Sequence, residues 1–150
     1  MNYFQTKPNY TVETNNSHLA GEYFVAAELY RRGFSVGMTI GNAKAIDMFA
    51  NKDGRTLAVQ VKAIRAKSSI GWPMMIDRVD DNVIYVFVNL NGISAPDYYV
   101  LSAKETRTKV KQYKTRGIID LSTLRSDAFY NRWDKLELAA VIPLAKAKDI

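Results

Sequence analysis

A mixed α/β (α+β) architecture, a central mixed β-sheet flanked by helices, follows from three features of the sequence. A run from Leu19 to Arg32, broken only by Gly21, predicts one long helix early in the chain. Several short β segments follow it. The near-continuous apolar run Val83–Asn89 predicts a central strand buried on both faces. With 150 residues the chain can form one domain around one substantial core.

The elements are justified in turn. Residues 1–15 read as an irregular lead-in, polar and interrupted by Pro8. Asn15, Asn16 and Ser17 are helix N-caps, Gly33 is a C-terminal stop, and Arg31 and Arg32 complement the helix dipole. Phe34–Val36 and Met38–Ile40 are short extended segments around Gly37. Ala45–Ala50 and Thr56–Ala63 form a hairpin through Asp53-Gly54, whose residue types favour a two-residue turn. Residues 65–82 read as a long loop, with Trp72-Pro73 packing over the sheet edge. After Val83–Asn89, Tyr98–Leu101 is a further strand, and Ser102 caps a helix over residues 103–114. Ser122–Ser126 reads as a helical turn. Leu136–Ile142 reads as a last strand, confined by Pro143 to an edge or an end. Phe129, Tyr130 and Trp133 are expected to close the core.

Composition narrows the function. Apolar residues at 47% and charged residues at 24% match a globular domain and argue against wholesale disorder. No apolar run approaches the roughly 20 residues of a membrane span, and the N-terminus lacks the basic and apolar regions of a secretory signal. With no cysteine, disulfides, thiolate zinc sites and a Cys nucleophile are excluded, in keeping with a reducing, cytoplasmic location. A net charge of +6 favours a polyanionic partner, nucleic acid first. There is no P-loop, no dinucleotide glycine fingerprint and no His pair at metal spacing. His18 is the only histidine, and no nucleophile-elbow sequence accompanies it.

The hairpin concentrates the polar chemistry. A two-residue turn at Asp53-Gly54 sets Asp47 opposite Gln60, with Cβ atoms roughly 5 Å apart. Lys62 lies diagonal to Asp47 on the same face, at roughly 7 Å. The other face, with Ile46, Met48, Leu57, Val59 and Val61, is apolar. Burying a carboxylate, an amide and an ammonium together is costly unless they serve one another, water or a metal. The first helix supplies a fourth group. Leu19, Glu22, Ala26 and Leu29 recur on one stripe, so Glu22 points along the face that packs on the sheet, and Gly21 permits close backbone approach.

Gly21-Glu22 on a first helix, Ile46-Asp47 on a strand and Gln60-Val61-Lys62 on its hairpin partner resemble the PD-(D/E)XK, or restriction-endonuclease-like, nuclease superfamily. The resemblance covers residues 17–101. It implies a restriction-endonuclease-like core and a single nuclease-like domain over 1–150. It implies Asp47 as principal metal ligand, Glu22 as the helix carboxylate, Gln60 at the acidic position of the E-x-K motif and Lys62 as the catalytic lysine. Together with Mg²⁺ or Mn²⁺ these would perform metal-assisted hydrolysis of phosphodiester bonds in DNA. Gln60 departs from the motif, because it offers a metal only an amide oxygen. That departure keeps an alternative open: a catalytically weak or inactive nuclease-fold protein that binds nucleic acid or a protein partner.

Lys44, Arg65 and Lys67 flank the hairpin and are candidates for substrate phosphates. A second basic segment, Lys104, Arg107, Lys109, Lys111, Lys114 and Arg116 with Glu105 as its one acid, could track phosphates or simply be a solvated face. One active site per chain cuts one strand, so double-strand cleavage would require a homodimer.

Overall fold

The computed structural model describes residues 14–40, 45–65 and 71–139. Helix α1 (Thr14–Arg31) begins within the segment read as a lead-in, a turn earlier than Leu19. It ends in a Schellman arrangement, in which Gly33 N–H donates to Tyr30 O and Phe34 N–H to Leu29 O, each at 3.0 Å. One strand, β1 (Ser35–Met38), replaces the two short segments expected around Gly37. Next come β2 (Met48–Lys52) and β3 (Arg55–Ile64), an antiparallel hairpin. Asp53 and Gly54 both have positive φ (53° and 75°), as a twisted two-residue turn demands.

The stretch expected to be a long loop instead carries β4 (Gly71–Pro73) and a 3-10 turn over Ile76–Arg78. It also connects β3 to β5 (Val83–Asn89), which run parallel and therefore need a crossover. β6 (Asp97–Leu101) pairs antiparallel with β5 and leads into α2 (Ala103–Lys109). Ser102 caps α2 through a complete capping box with Glu105. The helix stops five residues short of expectation, because β7 (Lys111–Gln112) leaves it to pair with β8 (Gly117–Asp120). A 3-10 turn over Leu121–Thr123 and α3 (Asp134–Ala139) complete the described elements.

The last strand expected over Leu136–Ile142 is thus corrected. Residues 134–139 are helical, and 140–142 lie outside the described residues. Asp134 and Glu137 in the first turn suit a helix N-terminus, and Leu136 is fully buried in the core.

The main sheet has the order β1-β2-β3-β5-β6, and a smaller sheet has the order β4-β8-β7. Two apolar clusters sit on the two sides of the main sheet. One includes Val25 and Leu29 of α1 with Met48, Val59, Val61, Val86 and Val88. The other is built around Trp72, which meets Phe87 and Tyr99 edge-on at 5.4 and 5.9 Å. Trp72 is therefore a core residue rather than an edge cover, and its Nε1–H donates to Val88 O at 3.1 Å. Trp133 and Phe129 close the core as expected, whereas Tyr130 stays exposed and donates its hydroxyl to Asp97.

The helix presents a different stripe from the one expected. Ser17, Gly21, Val25, Ala26 and Leu29 are buried, Leu19 is exposed, and Glu22 is half-buried at the stripe's margin. Gly21 sets this rotation. A Cβ there would lie 2.5 Å from the Cβ of Ala63, so α1 sits on β3 at a distance only glycine permits.

Candidate active site

Asp47 immediately precedes β2 and is bonded to the chain on both sides. Its N–H donates to Val59 O, and its carbonyl accepts from Thr39 N–H, both at 3.0 Å. The Thr39 hydroxyl bonds the carbonyls of Ile46 (2.7 Å) and Asp47 (3.0 Å). The regular ladder begins only at Met48, paired with Val59, and Asp47 N–H bonds that same Val59 carbonyl, one residue out of register. The direct Asp47–Gln60 pairing expected from the sequence is thus corrected: the ladder stops before it. Ile46 is corrected here. Upstream of the ladder the chain no longer alternates with β2, and Ile46 packs against the Trp72 cluster instead of sharing Met48's face.

The Asp47 carboxylate is held by the backbone of β3, because Val61 N–H donates to its Oδ2 at 2.7 Å. An N–H in that role fixes the side chain's direction. Gln60 and Lys62 alternate with the buried Val59, Val61 and Ala63, and each is half-buried. Half-burial matters, since a charge in a partly water-excluded setting acts more strongly than one in bulk water.

Glu22, Asp47, Gln60 and Lys62 all line one open depression of about 480 Å³, walled by α1 on one side and by Thr39 and Ile40 on the other. The structure thus brings together the four residues singled out from the sequence. Their donors form an all-oxygen set of two carboxylates and one amide with an ammonium beside it, which suits a hard divalent cation such as Mg²⁺. Among the described residues no three His, Cys, Asp or Glu side chains converge, so any metal here would lean on Gln60, backbone carbonyls or substrate oxygens as well.

Gln60 and Lys62 also line a second depression, of about 600 Å³, toward the small sheet, which Arg78 and Arg116 border. Lys62 reaches a third with His18 and Arg65. Arg65, one of the sequence candidates, is therefore at the rim of the site. Lys44 and Lys67 lie outside the described residues. Lys104 lines a separate depression with Leu57 and Leu138. Arg107 is ion-paired with Asp81 and donates to Val79 O at 3.1 Å. Lys111 meets Asp120 at 3.0 Å, and that hydrogen bond raises its pKa. These last three cations do not line the depressions of Gln60 and Lys62.

Arg78 and Thr39 carry no sequence signal for this site, whereas Arg116 belongs to the basic run read from the sequence. Arg116 closes that run, and only the small sheet brings it to the border of the Gln60–Lys62 depression. Arg78 sat in a stretch read as loop. Thr39 acts through backbone carbonyls, which no motif signals.

No family model matches the chain, and no curated protein matches it. Solved structures do. A bacterial homing endonuclease, I-Ssp6803I, superposes with a TM-score of 0.62 at 15% identity, over 92% of this chain and 99% of that one. The Holliday junction resolvase Hjc of Archaeoglobus fulgidus superposes with a TM-score of 0.50 at 13% identity, over 71% of this chain and 90% of that one. Identities this low speak to the fold. With a mixed five-stranded sheet, a helix packed on its hairpin and both neighbours of one architecture, the chain has the restriction-endonuclease-like fold that its Asp47 and Gln60-Val61-Lys62 signature resembles.

Proposed function

We propose that this chain is a divalent-metal-dependent nuclease that hydrolyses phosphodiester bonds of DNA at the depression shared by Glu22, Asp47, Gln60 and Lys62. The observation that carries the reading is the convergence of those four side chains at the mouth of the β2–β3 hairpin. The fold it shares with a homing endonuclease and a junction resolvase supports it.

Asp47 and Glu22 would hold Mg²⁺ or Mn²⁺, with the Gln60 amide oxygen as a neutral third donor. The ion, when bound, supplies Lewis-acid stabilisation of the charge that builds on the phosphoryl oxygens. The remaining work falls to the chain. Val61 N–H keeps Asp47 aimed, and Thr39 fixes the backbone beneath it. Lys62 orients the attacking water and stabilises the developing negative charge through its ammonium. As the water oxygen bonds to phosphorus, the bond to the leaving sugar oxygen breaks, and the water's proton passes to solvent while the leaving oxygen takes one up. The flanking cations Arg65, Lys44 and Lys67 would hold substrate phosphates, with Lys104, Arg107 and Lys111 as a more distant basic surface.

A second reading has one observation in its favour. Gln60 leaves only two carboxylates where the motif provides three acidic positions, which suits a protein that binds nucleic acid or a partner without cutting. Incubation with plasmid, linear and branched DNA and with RNA, at low salt with Mg²⁺ or Mn²⁺, decides between them. The nuclease reading expects DNA cleavage by the wild type and a loss of about 100-fold or more in Lys62→Ala. Binding without cleavage under either metal would establish the second reading.

A further inference from the structure

We infer that Arg78 and Arg116 form a second phosphodiester-binding subsite, which takes the backbone of the bound strand on the face of β3 opposite α1. The inference rests on the nuclease reading for its substrate class. Its starting point is that Gln60 and Lys62 border two depressions at once. A strand lying in the first, against Glu22 and Asp47, crosses Gln60 and Lys62 and continues into the second. There Arg78 and Arg116 are the flanking cations, with Thr115 beside them.

Two properties set this pair apart from Arg107 and Lys111. First, among the described residues neither guanidinium is ion-paired, whereas Arg107 and Lys111 are neutralised by Asp81 and Asp120. A cation without an internal counterion attracts an external anion more strongly. Second, the backbone segments that carry the two arginines are fixed relative to each other. Arg78 ends the 3-10 turn after β4, and Arg116 immediately precedes β8. Gln112 bridges the two supports. Its Oε1 accepts from Ile76 N–H at 2.9 Å, and its Nε2 donates to Tyr113 O at 2.7 Å and Arg116 O at 3.1 Å.

The same junction is tightened at Gly117, whose carbonyl accepts from Met74 N–H at 3.1 Å. A Cβ on Gly117 would lie 2.1 Å from Met74 O, so the backbones meet at a separation no side chain would allow. The Arg116 guanidinium also lies over the Tyr113 ring at 5.3 Å, which restricts its rotamers. The stacked Arg116 guanidinium loses little entropy on engaging phosphate, Arg78 projects from a braced backbone, and each guanidinium can bond a phosphate through two N–H groups.

The test is DNA affinity measured without catalysis, by fluorescence anisotropy of a labelled duplex in EDTA across about 50 to 200 mM NaCl. Arg78→Ala/Arg116→Ala, checked for a wild-type circular dichroism spectrum, is expected to bind at least about tenfold more weakly at the low-salt end. Its salt slope should fall by about 1.8, the value for two lost phosphate contacts. Arg78→Lys/Arg116→Lys should keep most of that slope, because the charges remain. Arg55→Ala removes an exposed cation about 17 Å along β3 from Gln60 and should change affinity less than about twofold. Wild-type affinity and slope in the double alanine variant overturn the inference, as does an equal loss in Arg55→Ala. Undetectable binding by the wild type overturns it too. The nuclease reading fails separately: a wild type that binds through both arginines yet never cuts with Mg²⁺ or Mn²⁺ removes that reading and leaves the subsite standing.

Discussion

Strands β3 and β5 run side by side and parallel, with Gln60 beside Tyr85 and Lys62 beside Phe87. Their surroundings nevertheless diverge. β5 is buried at all seven positions, while β3 from Leu57 onward alternates buried with half-buried. On the shared face, Trp72 and its neighbours cover Phe87 and Tyr85, but two depressions leave Gln60 and Lys62 open. Cover, rather than place in the sheet, separates scaffold from site. One strand contributes apolar area, and the next carries polar groups at the depth where charge acts strongly and substrate can still enter.

The contrast breaks most visibly on the scaffold side. Phe87→Ala should cost about 3–5 kcal/mol in urea unfolding, since a fully buried ring is lost from the Trp72 cluster. The folded fraction should retain DNA affinity. On the α1 side, Gly21→Val should cost about 1–3 kcal/mol by forcing the helix away from Ala63. Adding Ala63→Gly should recover part of that loss, and a double-mutant cycle measures the coupling.

Glu105 provides a smaller, pH-dependent effect remote from both faces. Burial alone would raise its pKa, but the Ser102 N–H and the Lys135 ammonium outweigh burial and hold it below the ordinary carboxylate value. Its stabilisation is therefore fully present above the unfolded-state pKa and is lost as pH falls through the lower folded value. Glu105→Ala should cost about 1 kcal/mol near pH 7, and the difference from wild type should shrink as urea midpoints are taken toward about pH 3. Smallest in stability is Gln60→Ala, expected within about 0.5 kcal/mol of wild type because its side chain borders open depressions. If Gln60→Ala instead unfolds the chain as Phe87→Ala does, the division between the two strands is wrong.

Much of the site was legible because it rests on local rules. Asp53-Gly54 fixes a two-residue turn, and the turn fixes the register as far as Met48. That leaves Asp47, Gln60 and Lys62 at the open end of the hairpin around one depression, although Asp47 itself slips out of that register. Gly21 announced a close helix approach, which Ala63 meets. Tertiary pairing hid the rest. Nothing local shows that Lys111 and Gln112 leave a helix to pair with β8, or that Gly71–Pro73 joins the same small sheet. Arg78 and Arg116 border the same depression as Lys62 only through that sheet, so the basic run alone could not set Arg116 apart from Lys104, Arg107 and Lys111. The stripe on α1 was misplaced for a related reason. Its period was right, but contact with Ala63 turns the helix so that Gly21 faces the sheet and Leu19 does not.

The central claim is that the open face of β3 is catalytic, and its most direct test is single-turnover cleavage by Lys62→Ala with Mg²⁺, read beside DNA affinity on the same preparation. The account predicts at least about a 100-fold slower cut with affinity within a few-fold of wild type, because the ammonium acts mainly on the transition state. Cleavage by Lys62→Ala at the wild-type rate, or a wild type that binds DNA and leaves it intact, would contradict it.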